Sequence, residues 1–334
     1  MKVVIFRSIC GFGDRLQMLG RLLMYCKLHN LKICIDWSDF VWGGGILDFH
    51  DFFDVVGVET IKKKEVLEYI RKKKNKIQIV PPVWNYESLK NDLNMSQHHE
   101  EYDFNIHFKH PTRIDANQEI ENIKANKCIA FEDVKLLEGD IFVSNGIVET
   151  QYRPMDLLEH IRFKPNVLKI IKTKLKDFDY KNVVHIRGTD KLLTNIDALY
   201  DQFKDHPETL NIITDDILYY NKLKQRLPNI RLLNPEANII KINEQQVRDN
   251  HLIGIHYVLQ RDLNQYKVRK YDLIIDLLVD WTAIIFSKQT YGNMNSCFFK
   301  TSNLMKLIDV KHVIKMFNGW CPSIYWVVEQ PTPI

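Results

Sequence analysis

"KNVVHIRGTDKL", residues 181–192, is the stretch on which the reading of this chain turns. Val183, Val184 and Ile186 form a short apolar run that carries His185 and Arg187 at alternate positions, then breaks into Gly188-Thr189-Asp190-Lys191. Side chains alternate across a strand, so His185 and Arg187 share a face. An imidazole and a guanidinium therefore stand together at the strand's carboxyl end, where open α/β sheets bind ligands.

Working outward, "PNVLKIIKTKLKDF" before this stretch is an amphipathic helix with Pro in its first turn. After it come a strand "LNIIT", a helix "DILYYNKLKQRL", a strand "IRLLN", a long helix around 270–282 and a strand "AIIFS". The first half repeats the pattern with "KVVIF", the helix "DRLQMLGRLLMYCKLHN", "KICID" and a last strand "DIFVSNG" at 140–146. Strands alternating with helices predict a parallel, doubly wound sheet in each half. The expected fold class is α/β: two Rossmann-like domains, 1–160 and 161–315, facing across a cleft, with a tail, 316–334, packing back on the first domain. "VWGGGILDFHDFFDVVG", between Val41 and Gly57, predicts a surface loop, and its aromatics are either a stacking lip for a sugar or, as is commoner for such a cluster, core packing around the loop. Residues 81–127 are polar and irregular, and no element is assigned there.

Bulk composition narrows the function classes. The 334 residues are 45% hydrophobic and 26% charged, which is globular. Lys62 to Lys76 holds eight Lys/Arg against Glu65 and Glu68, a local excess larger than the whole chain's net +4. A basic footprint spread over a nucleic-acid-binding face is absent; the run reads as a solvated helix face, or as attraction to a membrane surface or acidic polymer. The six cysteines form no CxxC pair, the first strand starts at Lys2, and no apolar run reaches the roughly 18 residues of a membrane span. Reduced thiols and a cytoplasmic setting are expected. "HHEEYDFNIHFKH" (98–110) promises no convergent ligand geometry, and no metal is assigned.

"GFGDRL" after the first strand, with Asp36 ending the second, approaches a dinucleotide fingerprint. Leu16 occupies the third glycine position, and Asp14 lies where a diphosphate wants positive potential. Gly11 and Gly13 are then either a tight turn with Asp14 capping the helix, or the edge of a site where Asp14 deprotonates a substrate hydroxyl. In the second half, Thr214-Asp215-Asp216 ends "LNIIT" on the same rim as Arg187. Asp272, Asp276 and Asp280 recur at i, i+4, i+8 on one helix face. Asp276 lies deepest in the apolar pattern and is assigned to a ligand, while Asp272 and Asp280 fit a solvated face. Arg187 and Lys191 suit phosphate oxygens, and a carboxylate such as Asp276 suits a guanine edge. The bland alternative is a turn closed by Arg187 on Asp190 or Asp215.

These residues resemble the superfamily of α-1,6-, α-1,2- and protein-O-fucosyltransferases. "HIRGTDK" is similar to its HxRRTDK-type motif, "GFGDRLQ" to its N-terminal glycine-rich motif (Gly11, Gly13, Arg15), "IITDD" to its TDD motif, and "DLLVDWTAIIFS…MNSCFF" to its last block. The core α-1,6-type and nodulation-factor enzymes have the nearest pattern. The resemblance implies a metal-independent, inverting enzyme of GT-B fold that takes GDP-fucose as donor and an oligosaccharide or glycoprotein as acceptor. By position, His185 and Asp276 would read the guanine and Arg187 would hold the β-phosphate. Lys191 would support the diphosphate, Asp190, Asp215 and Asp216 would shape the pocket, and Ser296 would be the phosphate-binding serine. Gly188 replaces the motif's second arginine, and a long last block leaves Asn293 and Ser287 competing with Ser296. Another nucleotide sugar, an NAD-dependent oxidoreductase, or a non-catalytic nucleotide-binding module are the alternatives. Acceptor, linkage and oligomeric state are not encoded legibly.

Overall fold

The computed structural model describes residues 1–8, 11–39, 42–73, 76–80, 84–91, 139–144, 154–188, 195–249, 251–261, 263–322 and 332–333. The chain divides into two compact units, Met1–Lys164 with Lys311–Gly319, and Pro165–Val310 with Trp320–Ile334.

The first unit contains β1 (Val3–Phe6), α1 (Phe12–Leu28), β2 (Lys32–Ile35), β3 (Phe53–Val55), α2 (Lys63–Lys73), β4 (Ile79–Val80), α3 (Tyr86–Asn91), β5 (Ile141–Ser144), α4 (Pro154–Leu158) and β6 (Ile161–Phe163). A parallel sheet runs β2-β1-β5-β4, with Val3 opposite both Lys32 and Ile141. β1 is VVIF and β5 IFVS, continuous apolar runs buried throughout, as strands covered on both faces require. Val3, Ile5, Ile141 and Val143 pack with Val66, Ile70, Trp84 and Leu89 from α2, α3 and the segment between β4 and α3. β3 and β6 form a separate antiparallel pair.

The second unit contains α5 (Pro165–Lys174), β7 (Asn182–Ile186), α6 (Ile196–Phe203), β8 (Leu210–Thr214), α7 (Ile217–Arg226), β9 (Ile230–Leu232), α8 (Asn238–Arg248), α9 (Ile255–Gln260), α10 (Lys270–Phe286), β10 (Gln289–Gly292) and α11 (Cys297–Met305). α12 (Val310–Met316) begins where the unit ends, and β11 (Thr332–Pro333) closes the sheet. The order is β11-β10-β7-β8-β9, all parallel. From β7 the chain steps outward to β8 and β9, then returns to place β10 on the other side of β7. The crevice between β7 and β10 is therefore the topological switch point.

Three expectations are corrected. The described part of this stretch, 42–57, is a surface loop at its glycine turn, where Gly45 and Ile46 are exposed, but not throughout: Trp42, Phe49, Phe52 and Phe53 are all buried, and β3 starts inside it. Trp37 meets Trp42 and Phe49 edge-on at 5.1 and 4.9 Å, and Phe12 stacks on Trp42 at 5.5 Å, so these rings are core and no sugar-stacking lip. The segment returning to the first unit is Lys311–Gly319 rather than 316–334. Phe317 packs on Phe163 and Asn318 donates to the Phe163 carbonyl at 2.8 Å, after which Thr332 and Pro333 pair with Tyr291 and Gly292 of the second unit. "AIIFS" is the end of α10, not a strand, because that helix is buried along its length and continues to Phe286.

Candidate nucleotide site

β7 is the central strand of its sheet, so its carboxyl end is flanked by neighbours on both sides. His185 is buried at 9% exposure, its ring lying 5.7 Å from Phe299, nearly parallel, and 5.5 Å from Phe298. Burial, helped by the Arg187 charge, pushes the imidazole's pKa down to about 3. The ring is neutral near pH 7, one nitrogen a donor and the other an acceptor. Its Nδ1 is buried with no hydrogen-bond partner. Arg187, one pleat further, is partly exposed.

Phe298 and Phe299 belong to the first turn of α11, and Ser296 is that helix's N-cap residue. A serine there usually closes the helix by accepting from a backbone N–H two or three residues on. This one does not: its hydroxyl makes no capping bond and is buried without a partner. Among the described residues of the second unit, only His185 Nδ1, Ser296 Oγ and Asn243 Oδ1 are buried side-chain atoms lacking one. Two of the three therefore belong to residues about the first turn of one helix, Ser296 as its N-cap and His185 packed on Phe298 and Phe299, beside the switch point. Unpaired N–H groups and the helix dipole at such a terminus favour an anion.

The TDD element shapes the loop after β7. Asp216 caps α7 by accepting from the Tyr219 N–H at 2.9 Å, and its own N–H donates to Thr214 Oγ1 at 3.0 Å. Asp215 accepts the Gly188 N–H at 3.0 Å. A Cβ at Gly188 would stand 2.7 Å from both the Cβ and Oδ2 of Asp216, so glycine is what lets β7's exit approach the α7 cap this closely. Asp190 and Lys191 lie outside the described residues, as does the histidine-rich stretch 98–110.

Asp276 is 1% exposed, but its carboxylate is already taken. Oδ2 accepts from the Asn238 backbone N–H at 2.8 Å and its side-chain amide at 2.7 Å, while Oδ1 pairs with Lys174 Nζ at 2.9 Å. Ala237, the N-cap residue of α8, has no side-chain acceptor, and Asp276 supplies one from another helix. The assignment of Asp276 to a ligand is thus replaced by a capping role. Asp272 pairs with Arg269 at 2.8 and 2.9 Å near the surface. Asp280 is partly exposed, yet desolvation, together with the Asp276 charge, raises its carboxyl well above the usual range, with Lys174 opposing. Next to it, Trp281 donates to Thr301 of α11 at 3.4 Å, which fixes this end of α10 on the helix bearing Ser296.

In the first unit the glycine loop is a helix start and a core element. Gly11 is the N-cap residue of α1 in extended conformation, Gly13 is buried in its first turn, and Asp14 there is partly exposed. Arg15 does not face a ligand: fully buried, it forms a bidentate pair with Asp39 at 2.8 and 3.0 Å, above Trp37 and Trp42. Asp36, the acid a dinucleotide would need for its ribose, lies 3.0 Å from Arg7 Nε and 2.9 Å from Lys63 Nζ. Burial opposes its charge, yet the two cations hold the carboxyl below the usual range. That occupancy removes the basis for the NAD-type alternative. No group of three or more His, Cys, Asp or Glu placed to hold a metal occurs among the described residues.

No protein-family profile matches the chain, and no curated protein matches it in sequence. Solved structures do. NodZ alpha-1,6-fucosyltransferase soaked with GDP-fucose superposes at TM-score 0.53 with 15% identity, over 91% of this chain and 92% of that one. The same enzyme co-crystallised with GDP gives 0.53 and 14%, over 91% and 92%. Fucosyltransferase NodZ from Bradyrhizobium gives 0.52 and 14%, over 91% and 93%. At these identities the likeness is one of architecture: over nine-tenths of its length, this chain has the α/β fold of the NodZ fucosyltransferase.

Proposed function

We propose that the protein is an inverting glycosyltransferase that moves L-fucose from GDP-fucose to a hydroxyl of an oligosaccharide or glycoprotein glycan. One observation carries the reading: two buried, unpartnered polar atoms, His185 Nδ1 and Ser296 Oγ, belong to residues about the first turn of α11, beside the switch point of a parallel sheet whose fold is that of NodZ. In this reading the nucleotide diphosphate lies over the first turn of α11, with Ser296 Oγ and the helix N–H groups on its oxygens. Neutral His185 and Asp280 address the base, Asp280 taking the acceptor role first given to Asp276. A charged Asp280 accepts the amino and imino hydrogens of guanine, which compensates the burial that otherwise disfavours its charge.

Inversion needs a base on the acceptor hydroxyl and a neutralised leaving group. Arg187 is the cation for the departing diphosphate; at about 4 Å it contributes roughly 4 kcal/mol at an effective dielectric near 20. Asp14 is the proposed base, and no metal is assigned a part. The reading places the reaction in a reducing, cytoplasmic setting, to which the buried thiols Cys26 and Cys34 are suited. Gly188 supports a second reading, a nucleotide-sugar-binding module without turnover, because the loop has no room there for a second cation. Thermal-shift titration with GDP, UDP and NAD, followed by a GDP-fucose turnover assay on mixed glycan acceptors, tests both. Protection by GDP alone with release of GDP from the sugar nucleotide supports transfer; protection without release supports the module; indifference to GDP at millimolar levels ends both.

A further inference from the structure

Ile46 is 89% exposed, more than any other large hydrophobic side chain among the described residues. The turn that carries it is stiff. Gly43 and Gly44 donate to the Asp39 carbonyl at 3.0 and 2.7 Å, Gly45 donates to Ser38 at 2.8 Å, and Ile46 and Leu47 both donate to Gly43 at 3.1 Å. A Cβ at Gly43 would meet the Leu47 carbonyl oxygen at 1.9 Å, and Gly44 and Gly45 adopt φ of 58° and 78°. Asp39, from which the turn hangs, is itself locked to Arg15. An apolar tip has been raised on a rigid base rather than left at the end of a loose loop.

The same base holds the start of the basic helix. Lys63, first residue of α2, reaches Ser38 Oγ at 3.4 Å and Asp36 at 2.9 Å, so Ser38 supports both the Ile46 turn and α2. Lys62 and Lys64 on either side are exposed, as are Arg71, Lys72, Lys73 and Lys76 further along. Val66 and Ile70 turn inward. Glu65 is held by the Lys62 N–H at 3.2 Å, and Glu68 is the other acid of the helix. A protruding isoleucine beside a cationic helix is a combination neither a soluble polyanion nor a second copy of this chain can use. The first offers nothing to the isoleucine, and the second brings cations against cations.

We propose that this face of the first unit docks on an anionic lipid bilayer. Ile46 enters at headgroup depth while Lys62, Lys64 and the rest of the basic helix lie against the phosphates. This inference uses nothing from the nucleotide-site reading and stands or falls separately.

The test is sedimentation of the full chain with vesicles of phosphatidylcholine alone and of phosphatidylcholine with about one third phosphatidylglycerol. Binding is expected only to the anionic vesicles. It should fall at least about tenfold between roughly 0.1 M and 1 M salt, as the screening length shrinks from about 10 to 3 Å. Ile46→Asp should weaken binding at least about tenfold without moving the melting temperature, since the side chain is 89% exposed. Reversing Lys62 and Lys64 together to Glu should weaken it by about thirtyfold or more, near fivefold for each cation lost. Equal binding to neutral vesicles, or none to anionic ones, overturns the proposal. So does polyphosphate binding with an unchanged Ile46→Asp variant, which marks a polyanion site, or a dimer in sedimentation velocity that Ile46→Asp dissociates.

Discussion

The two sheets end in opposite ways at equivalent places. Each is parallel, and each changes direction beside its central strand: between β1 and β5 in the first unit, and between β7 and β10 in the second. At the first, the charges face one another. Arg7 continues β1, donates its N–H to the Ser144 carbonyl of β5 at 2.8 Å, and sets its guanidinium against Asp36 and over Trp84; Lys63 completes the cluster. At the second, the His185 imidazole is neutral and the Ser296 hydroxyl is buried without a hydrogen-bond partner. Buried atoms without a hydrogen-bond partner occur at both rims, Ser144 Oγ at the first and His185 Nδ1 and Ser296 Oγ at the second, so what sets the first apart is that its charges are paired within the chain. The same topology thus ends once in internal ion pairs and once beside a neutral imidazole.

The comparison can be broken in several ways. If the first unit contributes chemistry but no nucleotide affinity, Asp14→Asn should lower turnover by about 10²–10⁴ with GDP affinity unchanged; full activity in the variant removes Asp14 as base. Asp39→Ala leaves the Arg15 charge buried and alone, and should cost about 3–5 kcal/mol in denaturant unfolding. A loss below about 1 kcal/mol there would contradict the structural role given to that pair. Arg187→Ala should lower turnover by about 10²–10³ with the melting temperature little changed; wild-type turnover ends its assignment to the leaving group.

A smaller effect separates the units by pH. His185 titrates at about 3 when folded, because burial, assisted by Arg187, disfavours the cation. Its unfolded value is near 6.5, so the unfolded chain gains the proton first and stability falls as pH drops from about 6.5 toward 3. The loss should be about 2 kcal/mol between pH 7 and 5. His185→Gln should flatten that slope, and an unchanged slope would show that it comes from other groups. Smallest is Ser296→Ala, which should weaken GDP binding several-fold, near 1 kcal/mol for one hydrogen bond, while leaving α11 as stable as before because the hydroxyl caps nothing.

Much of this was legible in the chain. The alternation of Val183, Val184 and Ile186 with His185 and Arg187 placed an imidazole and a guanidinium at a strand's end, and strand–helix alternation implied a parallel sheet in each half. Local pattern could not decide between Asp276 and Asp280, which share a helix face. The groups that occupy Asp276 come from Lys174, Asn234 and Asn238 on other elements, and only the folded topology brings them together. The glycine-rich aromatic stretch was misread for the opposite reason. Glycines usually mark exposed turns, but here they let a tight turn form above Trp42 and Phe49 while the rings sink inward. Among the contacts that join 311–319 to the first unit are a ring contact from Phe317 and an amide bond from Asn318, neither of which leaves a periodic trace.

The contact between Gly188 and Asp216 has a consequence for anyone redesigning the loop after β7. The loop leaving β7 and the start of α7 are mutually fitted, so installing an arginine at 188 by itself would collide with the residue that begins the helix. Enlarging the side chain at that spot requires moving both partners in one step, for instance by giving the helix a shorter cap such as Asp216→Ser, which keeps a capping oxygen while vacating space. Single-site libraries at 188 will therefore return mostly misfolded or unchanged proteins, and paired libraries are where new specificity can emerge.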